Sequence, residues 1–176
     1  MMHKTKGEMT MELRKLTIHD GDDVYDMLQS LPANENGFMN GMAGRSKEEF
    51  RKWLQANAES AEKKGLIDGW RVPQTIYWLY VDGQPVGMGK LRHFLTESFR
   101  HGGGHIGYTI VPDARGKGCG TALLQKLLNE AAALGIDRAL LTVHNDNPAS
   151  IRVALKCGGQ IEKVTEDRHY IWCECK

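Results

Sequence analysis

Met11 to Thr17 (MELRKLT) alternates apolar and polar side chains with the period of a half-buried strand. Val24, Met27, Leu28 and Leu31 then recur at helical spacing behind Asp20, which offers an N-cap. Asn34 to Arg45 is rich in Gly and Asn around Phe38, Met39 and Met42, the composition of a loop that carries apolar side chains. Ser46 and Glu49 form a capping box for a second helix through Glu62, and Gly65 to Pro73 reads as a connection. Thr75 to Val81 is aromatic and β-branched, Asp82-Gly83 carries turn chemistry, and Pro85 to Leu91 resumes with glycine at alternating places, which predicts a hairpin. Arg92 to Gly103 reads as a polar, irregular segment before a further strand, Gly104 to Val111, that Pro112 ends. Leu123, Leu124, Leu127, Leu128, Ala131 and Leu134 mark one face of a helix between Gly118 and Gly135, followed by a buried strand, Arg138 to Val143. This succession from Gly104 to Val143 predicts a right-handed crossover between parallel strands. Pro148 opens a short helix through Lys156, Gly158-Gly159 stops it, and Gln160 to Thr165 with Arg168 to Cys173 predicts a closing hairpin.

The expected class is therefore α/β, in one domain over residues 11–176 behind a polar extension, residues 1–10; 176 residues suit a single core. Lys and Arg total 23 against 22 Asp and Glu, a formal charge of +1 that argues against non-specific nucleic-acid binding. No apolar run approaches the roughly 20 residues that span a bilayer, so a cytoplasmic protein with no membrane partner is expected. Four cysteines without a secretory leader read as reduced thiols. Cys173 and Cys175 share one face of a strand rather than forming half of a metal site, and no metal is expected.

Candidate chemistry concentrates in Arg115-Gly116-Lys117-Gly118-Cys119-Gly120, between a strand and a helix start. Unpaired N–H groups and the helix dipole favour an anion there, glycines let the backbone approach it, and Arg115 and Lys117 add charge. Neither G-x-x-x-x-G-K-[ST] nor G-x-G-x-x-G is present, because Leu123 stands at the third glycine of the latter. What matches is R-x-x-G-x-G, as Arg115, Gly118 and Gly120 after Ile110-Val111-Pro112. With Asn147-Pro148-Ala149-Ser150 and Lys156-Cys157-Gly158-Gly159, this resembles the GNAT superfamily of acyl-CoA-dependent N-acetyltransferases, from about Met11 to the end of the chain. Arg92-His93 with Gly103-Gly104-His105-Ile106-Gly107-Tyr108 is similar to a bacterial subgroup of predicted acetyltransferases.

The resemblance implies a GNAT-type mixed, mostly antiparallel twisted sheet with parallel central strands flanked by helices. It implies acetyl-CoA as cosubstrate, with its pyrophosphate on the backbone amides of Gly116, Lys117, Gly118, Cys119, Gly120 and Thr121. Ile110 and Val111 would pair with the pantetheine arm, an N–H near Ile110 would receive the charge of the thioester oxygen, and Asn147 would contact the arm from the other side. Asn147 also reads as a helix cap. The acetyl group would pass by direct attack to an amine, on a small molecule or a peptide; a non-catalytic acyl-CoA-binding domain is the alternative, and homodimer formation is open. The position where several relatives carry a catalytic carboxylate is Gly104, and the one where many carry an acidic Tyr is Ala154. Candidates for base and acid are thus His105, which titrates in the useful range but equally suits a bond to strand backbone, with Tyr108 and Tyr170. His93 and Glu97 are weaker candidates. Cys119 should gain thiolate character at the helix start, although packing accounts for it better than covalent catalysis.

Overall fold

Aromatic and β-branched side chains favour a pleated, doubly covered surface, and that run forms β4 (Gln74–Val81), the spine of the first sheet. In the computed structural model, β4 pairs antiparallel with β1 (Met11–Lys15) and with β5 (Gln84–Arg92), and β5 pairs with β6 (Ile106–Ile110). The structure describes residues 7–62 and 68–176; residues 1–6 of the expected extension and 65–67 of the expected connection lie outside them. Asp82 and Gly83, both at positive φ (48° and 81°), make the tight turn between β4 and β5. The second sheet has the order β7 (Arg138–His144), β9 (Arg168–Glu174), β8 (Gln160–Val164).

Helices cover both faces of the first sheet. On one side α1 (Asp22–Gln29) and α2 (Lys47–Glu62) place Val24, Leu28, Phe50 and Leu54 against Trp78. On the other, α4 (Cys119–Ala133) sets Leu123, Leu124 and Leu127 against Leu79, Leu91 and Ile110, and this core continues to Leu141 and Ile171 of the second sheet. The capping box forms: Ser46 N donates to Glu49 Oε2 at 2.8 Å and Glu49 N to Ser46 Oγ at 3.2 Å. No helix among the described residues is long and apolar enough to cross a membrane.

Four local expectations change. Gly21, not Asp20, occupies the N-cap of α1, because the Asp20 carboxylate accepts from Trp78 Nε1 at 2.8 Å and from Thr17 N at 2.9 Å. Leu134, at the end of α4, is exposed rather than part of its buried face. The Asn34 to Arg45 loop contains a small hairpin, β2 (Asn34–Glu35) and β3 (Phe38–Met39), turned by Asn36-Gly37 at φ 50° and 83°. The irregular segment contains α3 (Glu97–His101), capped by Thr96, whose Oγ1 accepts from Phe99 N; Phe99 is buried beneath the Arg92 guanidinium.

The element that matters most for function is a missing ladder. β6 and β7, expected as parallel neighbours, are joined at one end alone: His105 N donates to Leu140 O at 2.8 Å, and Leu140 N donates to His105 Nδ1 at 2.9 Å. Among the described residues the two sheets share no further strand pairing, and a cleft opens between β6 and β7 beyond this join. Gly104 permits the join, since a Cβ there would sit 2.3 Å from Leu140 O.

Candidate active site

Hydrogen-bond alternation along β6 decides which amides reach the cleft. Val111 N donates to Val86 O at 2.8 Å, and the ladder pairs Thr109 with Met88 and Gly107 with Lys90. These three residues direct their backbone groups into β5, so the N–H and C=O of Tyr108 and Ile110 face away from it, toward the cleft. The expectation for Val111 is corrected on this ground: its N–H belongs to the ladder. Ile110 stays available, although its carbonyl already accepts from Arg115 Nε at 2.9 Å.

Beyond β6 the chain reaches α4 through the glycine-rich turn. Gly118 holds the N-cap at φ 82°, and the first helical bond runs from Ala122 N to Gly118 O at 3.0 Å. The N–H groups of Cys119, Gly120 and Thr121 precede that bond and have no helical acceptor. They face a cleft of about 520 Å³ lined also by Ile110, Gly116 and Asn147, with Arg152 and Lys156 at its far side. The Gly118 φ and these amides fit an anionic group such as a pyrophosphate. The two cations of the turn act differently from expectation. Arg115 ties the end of β6 to the β2–β3 hairpin, through Ile110 O and an ion pair with Glu35, and Lys117 is exposed outside the cleft lining. Arg152 and Lys156, on α5 (Pro148–Lys156), were not singled out from sequence because surface cations on a helix carry no distinguishing signal. Cys119 points into the core, and burial pushes its thiol pKa up despite Lys117, so the expected thiolate character is absent.

Asn147 caps α5: its Oδ1 accepts from Ser150 N at 3.3 Å. Ser150 Oγ lies 3.1 Å from Tyr108 Oη, and both residues line the cleft. Burial pushes the Tyr108 pKa up to about 12. This phenol therefore holds its proton throughout the neutral range and is suited to donate it rather than to accept one.

The other hydroxyl and imidazole candidates are placed elsewhere. Tyr170 is buried and donates to His101 O at 2.8 Å, which locks it between β9 and α3. His93 Nε2 is 2.8 Å from Thr75 Oγ1, and Glu97 pairs with His101 on α3. His105 is buried, its Nδ1 accepts from Leu140 N, and it lines neither cleft region. Burial, with the charges of Arg100 and Arg92 behind it, holds its pKa down to about 4. His105 is thus a structural bridge that stays neutral, and the expectation of it as base is corrected on this ground.

The bridge has a pH consequence. An unfolded chain protonates this histidine near its ordinary 6.5, whereas the fold resists until about 4. Between those values the unfolded state binds more protons, so stability is retained above pH 6.5 and falls as pH drops. Allowing for solvent screening, the loss is about 2 kcal/mol. Denaturant midpoints at about pH 7.5 and about pH 5 should show it in the wild type and not in His105→Gln, whose amide cannot titrate there. Parallel acid losses in both proteins would remove His105 as the cause.

Toward the join, the cleft continues into a second region of about 420 Å³ lined by Phe38, Lys90, Arg92, Thr142, His144 and Arg168, among others. The β2–β3 hairpin covers both regions. A Cβ on Gly37 would lie 2.9 Å from His144 Nε2, so the turn rests on the end of β7. Its signal in the sequence is the Asn36-Gly37 dipeptide between apolar and polar neighbours.

A family profile described as "Acetyltransferase (GNAT) domain" matches residues 10–160. The chain belongs to the GNAT acetyltransferase family. An L-2,4-diaminobutyric acid acetyltransferase of Nocardia farcinica is 45% identical over 58 residues, 31% of this chain and 30% of that protein, so the match spans less than a third of the relative. A GNAT acetyltransferase structure from Streptococcus pneumoniae superposes with a TM-score of 0.66 at 19% identity, covering 95% of this chain and 100% of that one. The microcin C7 self-immunity acetyltransferase MccE, in complex with acetyl-CoA and AMP, gives 0.70 at 16% identity, covering 93% and 92%.

Proposed function

We propose that this protein transfers the acetyl group of acetyl-CoA to the amine of a small molecule by direct attack, in the cleft between β6 and β7. The observation that carries the reading is the unpaired edge of β6 ending at the free amides of α4. Bound acetyl-CoA supplies an activated thioester. Cys119, Gly120 and Thr121 hold its pyrophosphate through their N–H groups, with Gly116 and Gly118 shaping the turn, and Arg152 and Lys156 add charge from α5. Ile110 bonds the amide-bearing arm as a strand edge would, and the Asn147 side-chain NH2, free while its Oδ1 caps α5, reaches it from the opposite side. The Tyr108 N–H, one alternation further along β6, receives the developing charge on the thioester oxygen.

A neutral amine is needed for attack, while an alkylamine ordinarily has a pKa near ~10.4. The carboxylate that lines the acceptor side, Glu35, is ion-paired to Arg115, and His144 lines it beneath the Gly37 turn; the charged surroundings also favour the neutral amine. Lys90 and Arg92 line the acceptor side, and like charges lower the pKa of an ammonium brought beside them. The same field, after burial, holds Lys90 itself down to about 8. At the other end of the step, Tyr108 Oη, oriented by Ser150, donates a proton to the departing thiolate, the role that relatives give to a tyrosine where this chain has Ala154.

Release of free thiol from acetyl-CoA in the presence of a broad panel of amines tests the reading. Tyr108→Phe should lower kcat on the order of 10- to 100-fold while KM for acetyl-CoA stays within about threefold, because the backbone N–H remains. Acetyl-CoA binding without thiol release for any amine would favour a non-catalytic binding domain.

A further inference from the structure

The acceptor region is bounded by two guanidinium groups that meet at one glycine turn. Arg92, at the end of β5, donates through Nη1 to Gly103 O at 3.1 Å and Gly104 O at 3.2 Å, and its plane lies over the Phe99 ring at 4.4 Å. Its Nε is buried without a hydrogen-bond partner. Arg168, at the start of β9, arrives from the other side. A Cβ on Gly102 would stand 2.8 Å from Arg168 Nη1, and one on Gly103 would stand 3.4 Å from Arg92 Nη1. The adjacent glycines therefore make room for a guanidinium on each flank, and Gly103 N is fixed by Thr142 Oγ1 at 2.8 Å.

Negative charge does not balance this pair. Arg168 Nε bonds the exposed Asp167 carboxylate at 3.0 Å, while its two terminal nitrogens have no hydrogen bond among the described residues. Lys90 brings a third cation, its Nζ donating to Met39 O above the Phe38 ring. The carboxylate that lines this region is Glu35, and it is ion-paired to Arg115. Neighbouring groups register the positive field: after burial, Arg92 is a cause of the lowered pKa of both Lys90 and His105. At the rim Trp70, largely exposed, packs edge-on to Phe99 at 5.1 Å and offers an apolar wall.

A polyamine entering here would bring several positive charges against three. An amine that also bears an anionic group would meet guanidinium donors suited to paired oxygens. Resting on the acetyl-transfer reading, we propose that the acceptor is a small amine carrying a carboxylate or phosphate, which Arg92 and Arg168 hold at the Gly102–Gly103 turn while its amine faces Tyr108.

The experiment uses matched amines: α-amino acids and their decarboxylated counterparts, among them 2,4-diaminobutyrate with 1,3-diaminopropane, and phosphoethanolamine as the phosphate arm. Calorimetry on the protein–CoA complex measures affinity independently of turnover, and thiol release measures kcat/KM. The anionic member of a pair should bind on the order of tenfold more tightly, and the stronger of the carboxylate and phosphate arms identifies the group. Arg168→Gln should erase that preference, and Arg168→Glu should reverse it, with KM for acetyl-CoA unchanged. Arg168 is the better probe because the Arg92 bonds also hold the turn. Equal or tighter binding of the decarboxylated amines, or no binding by any member, overturns the proposal. Selective binding without thiol release supports it and instead overturns the acetyl-transfer reading.

Discussion

Gly104→Ala should destabilise the protein by about 4 kcal/mol, a large part of the ~5–15 kcal/mol that holds a typical domain together. The added Cβ would lie 2.3 Å from Leu140 O and 2.9 Å from Leu140 C, both backbone atoms that no rotamer change can move aside. Its φ of 60° adds roughly 1–2 kcal/mol of left-handed strain for an L side chain. Relief requires β6 to withdraw from β7, which breaks the paired bonds between His105 and Leu140 and leaves buried donors unmatched. Because that join is the point from which the cleft opens, acetyl-CoA affinity should fall with stability. Denaturant titration with a parallel CoA titration reads both, and a variant within about 1 kcal/mol of wild type would show that the strands do not need this contact. The same clash explains why no carboxylate occupies this position: a side chain here would enter the neighbouring strand, not the cleft.

The elements of this fold were legible where local patterns are strong. The helical stripe Leu123 to Ala131, the capping box of Ser46 and Glu49, and the glycine turn into α4 each carry their own physical signature in a few adjacent residues. What a sequence conceals is partnership over distance. Nothing local says that Asp20 will bond the Trp78 indole across 58 positions instead of capping its own helix, or that Arg115 will pair with Glu35 rather than face an anion. Strand alternation shows that His105 and Tyr108 lie on opposite faces, but it does not say which face meets the cleft; the bond from Leu140 N settles that against His105. The backbone direction of Val111 is equally hidden, since it depends on the register with Val86. Arg92 and Arg168 stand 76 positions apart and converge only because Gly102 and Gly103 lack side chains between them. The β2–β3 hairpin is a different case, since its Asn36-Gly37 signal was present and was outweighed by the glycine-rich composition around it.

Gly118→Val should reduce CoA affinity at least about 100-fold, a difference of ~2.7 kcal/mol, while the protein still folds. Nothing lies within 4 Å of where a Cβ would stand on Gly118, so the substitution causes no clash inside the protein. Its difficulty is the φ of 82° at the N-cap of α4, a conformation that a β-branched residue resists. If the turn relaxes to a negative φ, the N–H groups of Cys119, Gly120 and Thr121 lose their common aim. If it holds, the branched side chain occupies the open space in front of those amides. Both routes remove the anion site, whereas α4 itself stays anchored through Leu123, Leu124 and Leu127 in the core. The strain should lower Tm by a few degrees, about what 1–2 kcal/mol gives in a chain of this size. Gly118→Asn separates the two routes, because asparagine tolerates the left-handed region and projects a smaller, polar group. Partial recovery of affinity in Gly118→Asn assigns the loss to backbone aim, and loss equal to that of valine assigns it to bulk. Calorimetry with CoA on folded protein is the measurement, and unchanged affinity in Gly118→Val would move the pyrophosphate away from this turn altogether.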